Sequence, residues 1–284
     1  LVYAAQNNRV EIMQMLLAAG ADVDLSDAQG CTALTYACHR GNVNIVRVLI
    51  SAKASLESRD KLDQTPLMLA ARQRHLDILE ILIDAGAQLE AESSACQTAL
   101  LIAAAEGNVD AVKMLIDAKA SVNVSDSVLQ TPLMLATTKG YRDTMKLLID
   151  AGATVNDRRN DGQTALHIAT SGSRFTPMEV LIDAKADVNL ADMDKNTPLI
   201  MAAVWGYGKA VQLLLDAGAD LDAVNAHEQT ALNVATRFGY NNIMVMLIAA
   251  GASMEIRDNE KCTPLLWAAL RQNPNDMQVL IDAK

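Results

Sequence analysis

Four histidines (His39, His75, His167, His227) and four cysteines (Cys31, Cys38, Cys96, Cys262) are the side chains of this chain best suited to nucleophilic, acid–base or soft-metal chemistry. Imidazole and thiolate ligate zinc and form catalytic dyads, but both jobs need two or more such groups at one place. Counted from a threonine that recurs every 33 residues, the four histidines fall at four different offsets in four different repeats, so no two are expected to meet as a pair. The cysteines show no C-x-x-C and no paired spacing. That argues against a zinc site or a disulfide framework and for a reducing, intracellular home, the cytoplasm. Asp84, Asp117, Asp150, Asp183, Asp216 and Asp282 recur at one slot, as a cation-binding ladder would. Neighbouring rungs would stand ~8–10 Å apart at helix-packing distance, too far to share one ion, so a solvated edge is the simpler expectation. Lys113 and Lys146 lie four residues before Asp117 and Asp150 and are expected to pair with them as helix neighbours. The chain contains no P-loop, G-x-G-x-x-G, H-E-x-x-H or G-x-S-x-G string. No catalytic residue, metal ligand or cofactor is expected within it.

The elements that would position any site follow from the threonine itself. Thr32, Thr65, Thr98, Thr131, Thr164, Thr197, Thr230 and Thr263 each open a T-[AP]-L-x-x-A string, with no insertion or deletion between them. A fixed period of this length predicts a stacked repeat architecture in place of one globular core. Within 126–158, Thr131 is a helix N-cap and Pro132 suits the first helical position. Gly140 ends that helix, and Asp143 favours the start of the next. Met145, Leu147, Leu148 and Ile149 are expected to be buried, and Gly152 stops the second helix. The polar stretch from Ala153 to Gln163 predicts an extended, hairpin-like connection.

Two helices and a turn finger in 33 residues, with a T-P-L-H-x-A-like first helix, resemble the ankyrin repeat. The resemblance covers the whole chain and implies an all-α repeat solenoid with β-turn or hairpin fingers. The expected organisation is one continuous array over 1–284. It comprises a partial repeat 1–26, repeats 27–59, 60–92, 93–125, 126–158, 159–191, 192–224 and 225–257, and an incomplete last repeat 258–284. Only His167 keeps the family's histidine; Thr35, Met68, Leu101, Met134, Ile200, Asn233 and Leu266 hold that slot elsewhere. The departure puts the usual Thr–His link between repeats in doubt, but not the fold. The residue after each threonine alternates between Ala and Pro. The second-helix stop alternates almost in step, as Gly20, Lys53, Gly86, Lys119, Gly152, Lys185 and Gly218; Gly251 then breaks the pattern and Lys284 follows. Duplication of a 66-residue pair explains both.

Half of the residues are hydrophobic but only 3% are aromatic, so small and aliphatic side chains must fill the core. A net charge of −10 disfavours nucleic acid and anionic membrane as partners. No apolar run approaches the ~18–20 residues of a membrane span, so no membrane insertion is expected. Both ends are apolar (Leu1, Val2, Tyr3; Met277, Val279, Leu280, Ile281), whereas solenoids end in polar caps. The chain therefore reads as the interior of a longer array, with further repeats or domains in the same polypeptide.

The resemblance implies a concave surface built from first-helix ends and finger tips. The last two residues of the predicted first helices are His39–Arg40, Arg72–Gln73, Ala105–Glu106, Thr138–Lys139, Ser171–Gly172, Val204–Trp205, Arg237–Phe238 and Leu270–Arg271. Five are Lys or Arg and one is acidic, giving a net-positive groove on a net-negative protein. Its N-terminal half is polar and basic (His39, Arg40, Arg72, Gln73, Lys139); its C-terminal half carries Val204, Trp205, Phe238 and Leu270 beside Arg237 and Arg271. Trp205 is the most telling, because its slot holds Arg40, Gln73, Glu106 and Lys139 elsewhere. Exposed aromatics flanked by arginine suit a binding anchor; the competing account is that Trp205 and Phe238 pack side by side or on finger residues such as Val224. The expected function is non-catalytic recognition or scaffolding of a protein or peptide with acidic and apolar residues. The alternatives are the recognition module of a larger enzyme or channel, and a structural spacer in a large assembly.

Overall fold

The computed structural model describes residues 1–283; Lys284, expected as the last helix stop, lies outside them. Contacts gather the chain into two compact units, Leu1–Ala153 and the part from Thr154 onward. In the first unit one layer holds the first helices of each repeat: α1 (Val2–Gln6), α3 (Ala33–Arg40), α5 (Pro66–Gln73), α7 (Ala99–Ala105) and α9 (Pro132–Lys139). The second layer holds α2 (Val10–Ala18), α4 (Val43–Ser51), α6 (Leu76–Asp84), α8 (Val109–Asp117) and α10 (Arg142–Asp150). In the second unit the first layer is α11 (Ala165–Ser171), α13 (Pro198–Val204), α15 (Ala231–Phe238) and α17 (Pro264–Leu270). Its second layer is α12 (Phe175–Asp183), α14 (Gly208–Asp216), α16 (Asn241–Ala249) and α18 (Pro274–Asp282). Within each unit every first helix packs on the next first helix and on its own second helix.

The threonine register sets where these helices start. Thr32, Thr65, Thr98, Thr131, Thr197, Thr230 and Thr263 each accept the N–H three residues on, at 3.2–3.4 Å. Pro66, Pro132, Pro198 and Pro264 occupy the first turn, where a missing N–H costs nothing. Alanine lets neighbouring first helices approach: Ala37, Ala70, Ala103, Ala136, Ala169, Ala202 and Ala235 are fully buried. Ile45, Val46 and Leu49, or Ile78, Leu79 and Leu82, close the core from the second layer. Truncating such a leucine to alanine costs about 2–5 kcal/mol. In α10 only Met145 and Leu148 are buried together with Thr144; Leu147 and Ile149 flank that stripe and are half-exposed, since a two-layer repeat covers only one face of the helix.

Beyond the second-helix ends, Gly20, Gly86, Gly152, Gly218 and Gly251 take positive φ, and so do Lys53 (62°), Lys119 (74°) and Lys185 (64°). Lysine thus adopts the left-handed stop that its alternation with glycine predicts. The fingers contain no strand among the described residues and are closed by β-turns instead. At the slot five residues before the threonine, one oxygen accepts two N–H groups. Asp60 Oδ1 takes those of Leu62 and Gln64, and Asp126 Oδ1 those of Val128 and Gln130. Ser93, Asp192, Asn225 and Asp258 repeat the device. Asp27 does so too; burial opposes its ionisation, but the N–H of Gln29, the Tyr36 hydroxyl and the N–H of Cys31 prevail and hold its carboxyl below the ordinary carboxylate value. Successive fingers are then tied by backbone bonds, such as Ser94 N–H to Leu62 O at 3.0 Å and Ala226 N–H to Asp194 O at 2.8 Å.

Candidate interaction surface

The first helices end at a left-handed residue nine positions after the threonine: Gly41, Arg74, Gly107, Gly140, Ser173, Gly206, Gly239 or Gln272. His39–Arg40, Arg72–Gln73, Thr138–Lys139 and Arg237–Phe238 are the last two residues of their helices, as expected. Glu106, Gly172, Trp205 and Arg271 instead stand one step beyond, as C-caps, because their carbonyl ends fray just before the left-handed turn. Glycine at that turn admits the next repeat's side chain. A Cβ on Gly41 would meet the His75 ring, and one on Gly107 or Gly206 the ring of Tyr141 or Tyr240, all within 3 Å. His75 Nε2 lies 3.3 Å from the His39 carbonyl, so the only meeting of two histidines among the described residues is ring to backbone and makes no dyad.

In the second unit, Trp205 is 55% exposed, Phe238 51% and Leu270 64%, while Val204 is half-buried. Trp205 and Phe238 belong to the adjacent α13 and α15 ends. The ring that Phe238 meets is that of Tyr240, with centroids 6.1 Å apart and planes tilted by 34°. Tyr240 in turn covers Gly206, the residue after Trp205. Side-by-side packing of Trp205 on Phe238 is therefore not what holds them. The half-buried Tyr240, which the sequence reasoning passed over, underlies both positions; its signal was a tyrosine or histidine ten residues after the threonine, as in His75, Tyr141 and Tyr207.

The cations of the two units differ. Arg237 is engaged within the chain: its guanidinium is 2.9 Å from Glu260 and lies 4.3 Å over the Trp267 ring. Trp267, itself buried, donates its indole N–H to Asp258 at 2.8 Å. Arg271 lies against Gly239 and donates to the Arg237 carbonyl at 3.0 Å, capping α15. In Leu1–Ala153, exposed His39, Arg40, Gln73 and Lys139 and half-buried Arg72 make no side-chain ion pair among the described residues. Of the five cations expected at the helix ends, Arg237 alone is paired with a carboxylate among the described residues; Arg271 keeps its charge while a carbonyl takes one of its donors.

The slot three residues after the threonine holds a polar link in two repeats. His167 Nδ1 accepts the Thr164 N–H at 3.2 Å and sits 2.9 Å from the Thr164 hydroxyl, so its proton is on Nε2, which donates to the Asn196 carbonyl at 3.1 Å. Burial holds its pKa below 6.5 against the pull of that carbonyl. Asn233 does the same without a charge: Oδ1 accepts from Thr230, and Nδ2 donates to Ile256 O and Cys262 O. The doubt about the link between repeats thus resolves in favour of two copies, one histidine and one asparagine.

Among the described residues no cluster of three or more His, Cys, Asp or Glu is arranged to hold a metal ion, and the aspartate ladder forms the exposed last residues of the second helices. Lys113 and Lys146 do not pair with Asp117 and Asp150; where a helical partner reaches that aspartate slot it is an amide, Gln212 to Asp216 and Gln278 to Asp282, each at 2.7 Å. All four cysteines are free; Cys38 is fully buried, which pushes its thiol up. No helix among the described residues is long and apolar enough to cross a membrane.

Residues 1–93, 89–159 and 155–225 each match the family described as Ankyrin repeats (3 copies). The crystal structure of the ankyrin repeat domain of Bcl-3, a unique member of the IkappaB protein family, superposes with a TM-score of 0.72 at 28% identity, over 77% of this chain and 98% of that one. No curated protein matches.

Proposed function

We propose that this chain, which belongs to the ankyrin-repeat family, is a non-catalytic recognition module that holds an extended or helical protein segment along the ends of its first helices. Ankyrin repeats are, as a class, protein-interaction modules; the partner's chemistry is our own reading. The observation that carries it is Trp205, more than half exposed at the end of α13 and supported from below by Tyr240 through Gly206. A tryptophan side chain has only two rotatable bonds, so it loses little conformational freedom on binding and offers a large apolar face. Phe238 and Leu270 extend that face, so the partner supplies an apolar anchor there. Arg40, Arg72 and Lys139 in the first unit favour acidic residues on the same partner. The threonine register runs without a break from Thr131 to Thr164, which supports reading 1–284 as one array. We assign no cofactor and a cytoplasmic, reducing setting, consistent with four free cysteines.

The test is selection of a displayed random peptide library on the whole chain, followed by calorimetry of enriched peptides on Trp205→Ala. Loss of at least tenfold in affinity with unchanged circular dichroism supports the assignment. Peptides that bind equally well to the variant would refute it.

A further inference from the structure

Arg72 lines a cavity of about 280 Å³ together with Leu62, Gln64, Ser93, Ala95 and Gln97. Its Nε is sealed from solvent and has no hydrogen-bond partner, and no carboxylate among the described residues pairs with its guanidinium. A buried guanidinium N–H without an acceptor carries a desolvation penalty that a folded protein rarely leaves standing. The molecule contains its own counterexample. Arg237 occupies the same slot, seven residues after its threonine, and there the guanidinium is engaged twice: its Nη1 by Glu260, and its face by the Trp267 ring. The positions that correspond for Arg72, likewise 23 and 30 residues further on, are Ala95 and Ile102. Neither can accept a hydrogen bond through its side chain. Ala95 borders the cavity, so the space that a glutamate fills beside Arg237 is open beside Arg72.

Building on the groove binding proposed above, we propose that this cavity seats an aspartate or glutamate side chain of the bound polypeptide, paired with Arg72. The guanidinium fork suits a planar carboxylate, and Arg72 borders the cavity with no ion pair of its own among the described residues. No polar group bordering the cavity accepts from the Arg72 Nε, and Ser93 Oγ already accepts the finger N–H groups of Ala95 and Gln97.

Ala95→Glu, compared with Ala95→Gln in the full chain, tests the geometry without any partner. The introduced carboxylate should raise Tm at pH 7 relative to the amide, and the gain should vanish in an Arg72→Gln background. No gain overturns the proposal, because the cavity then fails to bring a carboxylate to the guanidinium. Peptides enriched from the displayed library provide the second arm. They should carry an acidic residue whose change to its amide weakens binding at least tenfold on the native chain, with no further loss on Arg72→Gln. Ala95→Glu should compete in cis and weaken the same peptides by a similar factor. Peptides that require Trp205 but ignore Arg72→Gln and Ala95→Glu would sink this proposal and leave the groove assignment standing. Peptides that ignore Trp205 and Arg72 alike would remove both.

Discussion

In the unit that begins at Thr154, Arg159 is closed on Asp161, Lys209 on Glu179 and the Phe175 ring, and Arg237 on Glu260 and the Trp267 ring. In Leu1–Ala153 no ion pair and no cation–π contact joins described residues, and the cations at the first-helix ends face outward or, for Arg72, into an open cavity. The aromatics run the other way: Trp205 and Phe238 stand at the helix-end slot in the later unit, where Arg40, Gln73, Glu106 and Lys139 stand in the earlier one. One scaffold therefore leaves the slot seven residues after the threonine ion-paired at Arg237 and unpaired at Arg72. What decides is the neighbour one repeat on, a glutamate and a tryptophan for Arg237 against an alanine and an isoleucine for Arg72.

The comparison breaks most readily at the aromatic end. Trp205→Ala with Phe238→Ala should cost at least ~2 kcal/mol of binding to a selected peptide, the range of an interface anchor, while helicity is kept. A sharp fall in melting temperature with affinity unchanged would show that the rings serve the fold. At the charged end, Arg40→Glu with Arg72→Glu should slow association about tenfold and flatten its salt dependence, since the exposed Arg40 charge acts on encounter, while loss of the half-buried Arg72 should also speed dissociation. The same change at Arg237 should disturb stability first, because its charge is already spent on Glu260. Stopped-flow rates at two salt concentrations separate these outcomes.

A third difference is acid sensitivity. The slot three residues after the threonine carries His167 in the later unit but only Thr35, Met68, Leu101 and Met134 in the earlier one. Burial lowers the folded-state pKa of His167 below 6.5, so the unfolded chain takes up the proton first. The stabilisation is complete above that ordinary value and is lost as pH falls below it toward the depressed folded value. His167→Asn, which copies Asn233, should keep the fold and lose this dependence. Urea melts at pH 7.5 and 5.5 should show native stability dropping more than that of the variant; equal drops would refute the assignment. The smallest effect concerns Lys53, Lys119 and Lys185. Positive φ costs a residue with a Cβ roughly 1 kcal/mol, and a cation at a helix C-terminus returns about 0.3–1 kcal/mol. Changing all three to glycine should leave thermal stability equal or modestly higher, and a clear loss would mean that these lysines serve specific acids.

Most of the fold was legible because its determinants are local. A threonine cap, a proline in the first turn and a left-handed stop each act within a few residues, so Thr131, Pro132 and Gly152 could be read directly. The finger acceptors at Asp27, Asp60, Ser93, Asp126, Asp192, Asn225 and Asp258 also keep the 33-residue period. They were overlooked because aspartate, serine and asparagine in a turn read as solvated polar residues until their two N–H donors are seen. The site was legible only in part. Trp205 announced itself by violating its slot, but whether an arginine is free or committed depends on residues 23 and 30 positions away, and no single-repeat pattern weighs those. For the same reason Lys113 and Lys146 read as ion-paired and are not: on an exposed helix face an i, i+4 spacing permits a bond that water competes for on equal terms.

The side chains eight residues before six of the eight threonines reach across to the next repeat. Asp24 accepts from Ser55 N–H, Glu57 from Gln88, Glu90 from Ser121, Asn156 from Asp187, Asn189 from Asp220 and Asp222 from Ser253, each over 31 residues. Every such bond closes a loop of nearly one period, so its entropic cost is the same small sum at each step. Folding can therefore start at any adjacent pair and advance outward without a search for distant partners, which favours rapid collapse. Under tension applied at the two ends the same arrangement predicts the reverse. Length should be released in steps of one repeat, each rupture breaking one cross-repeat tether and its finger bond while the remaining stack stays closed.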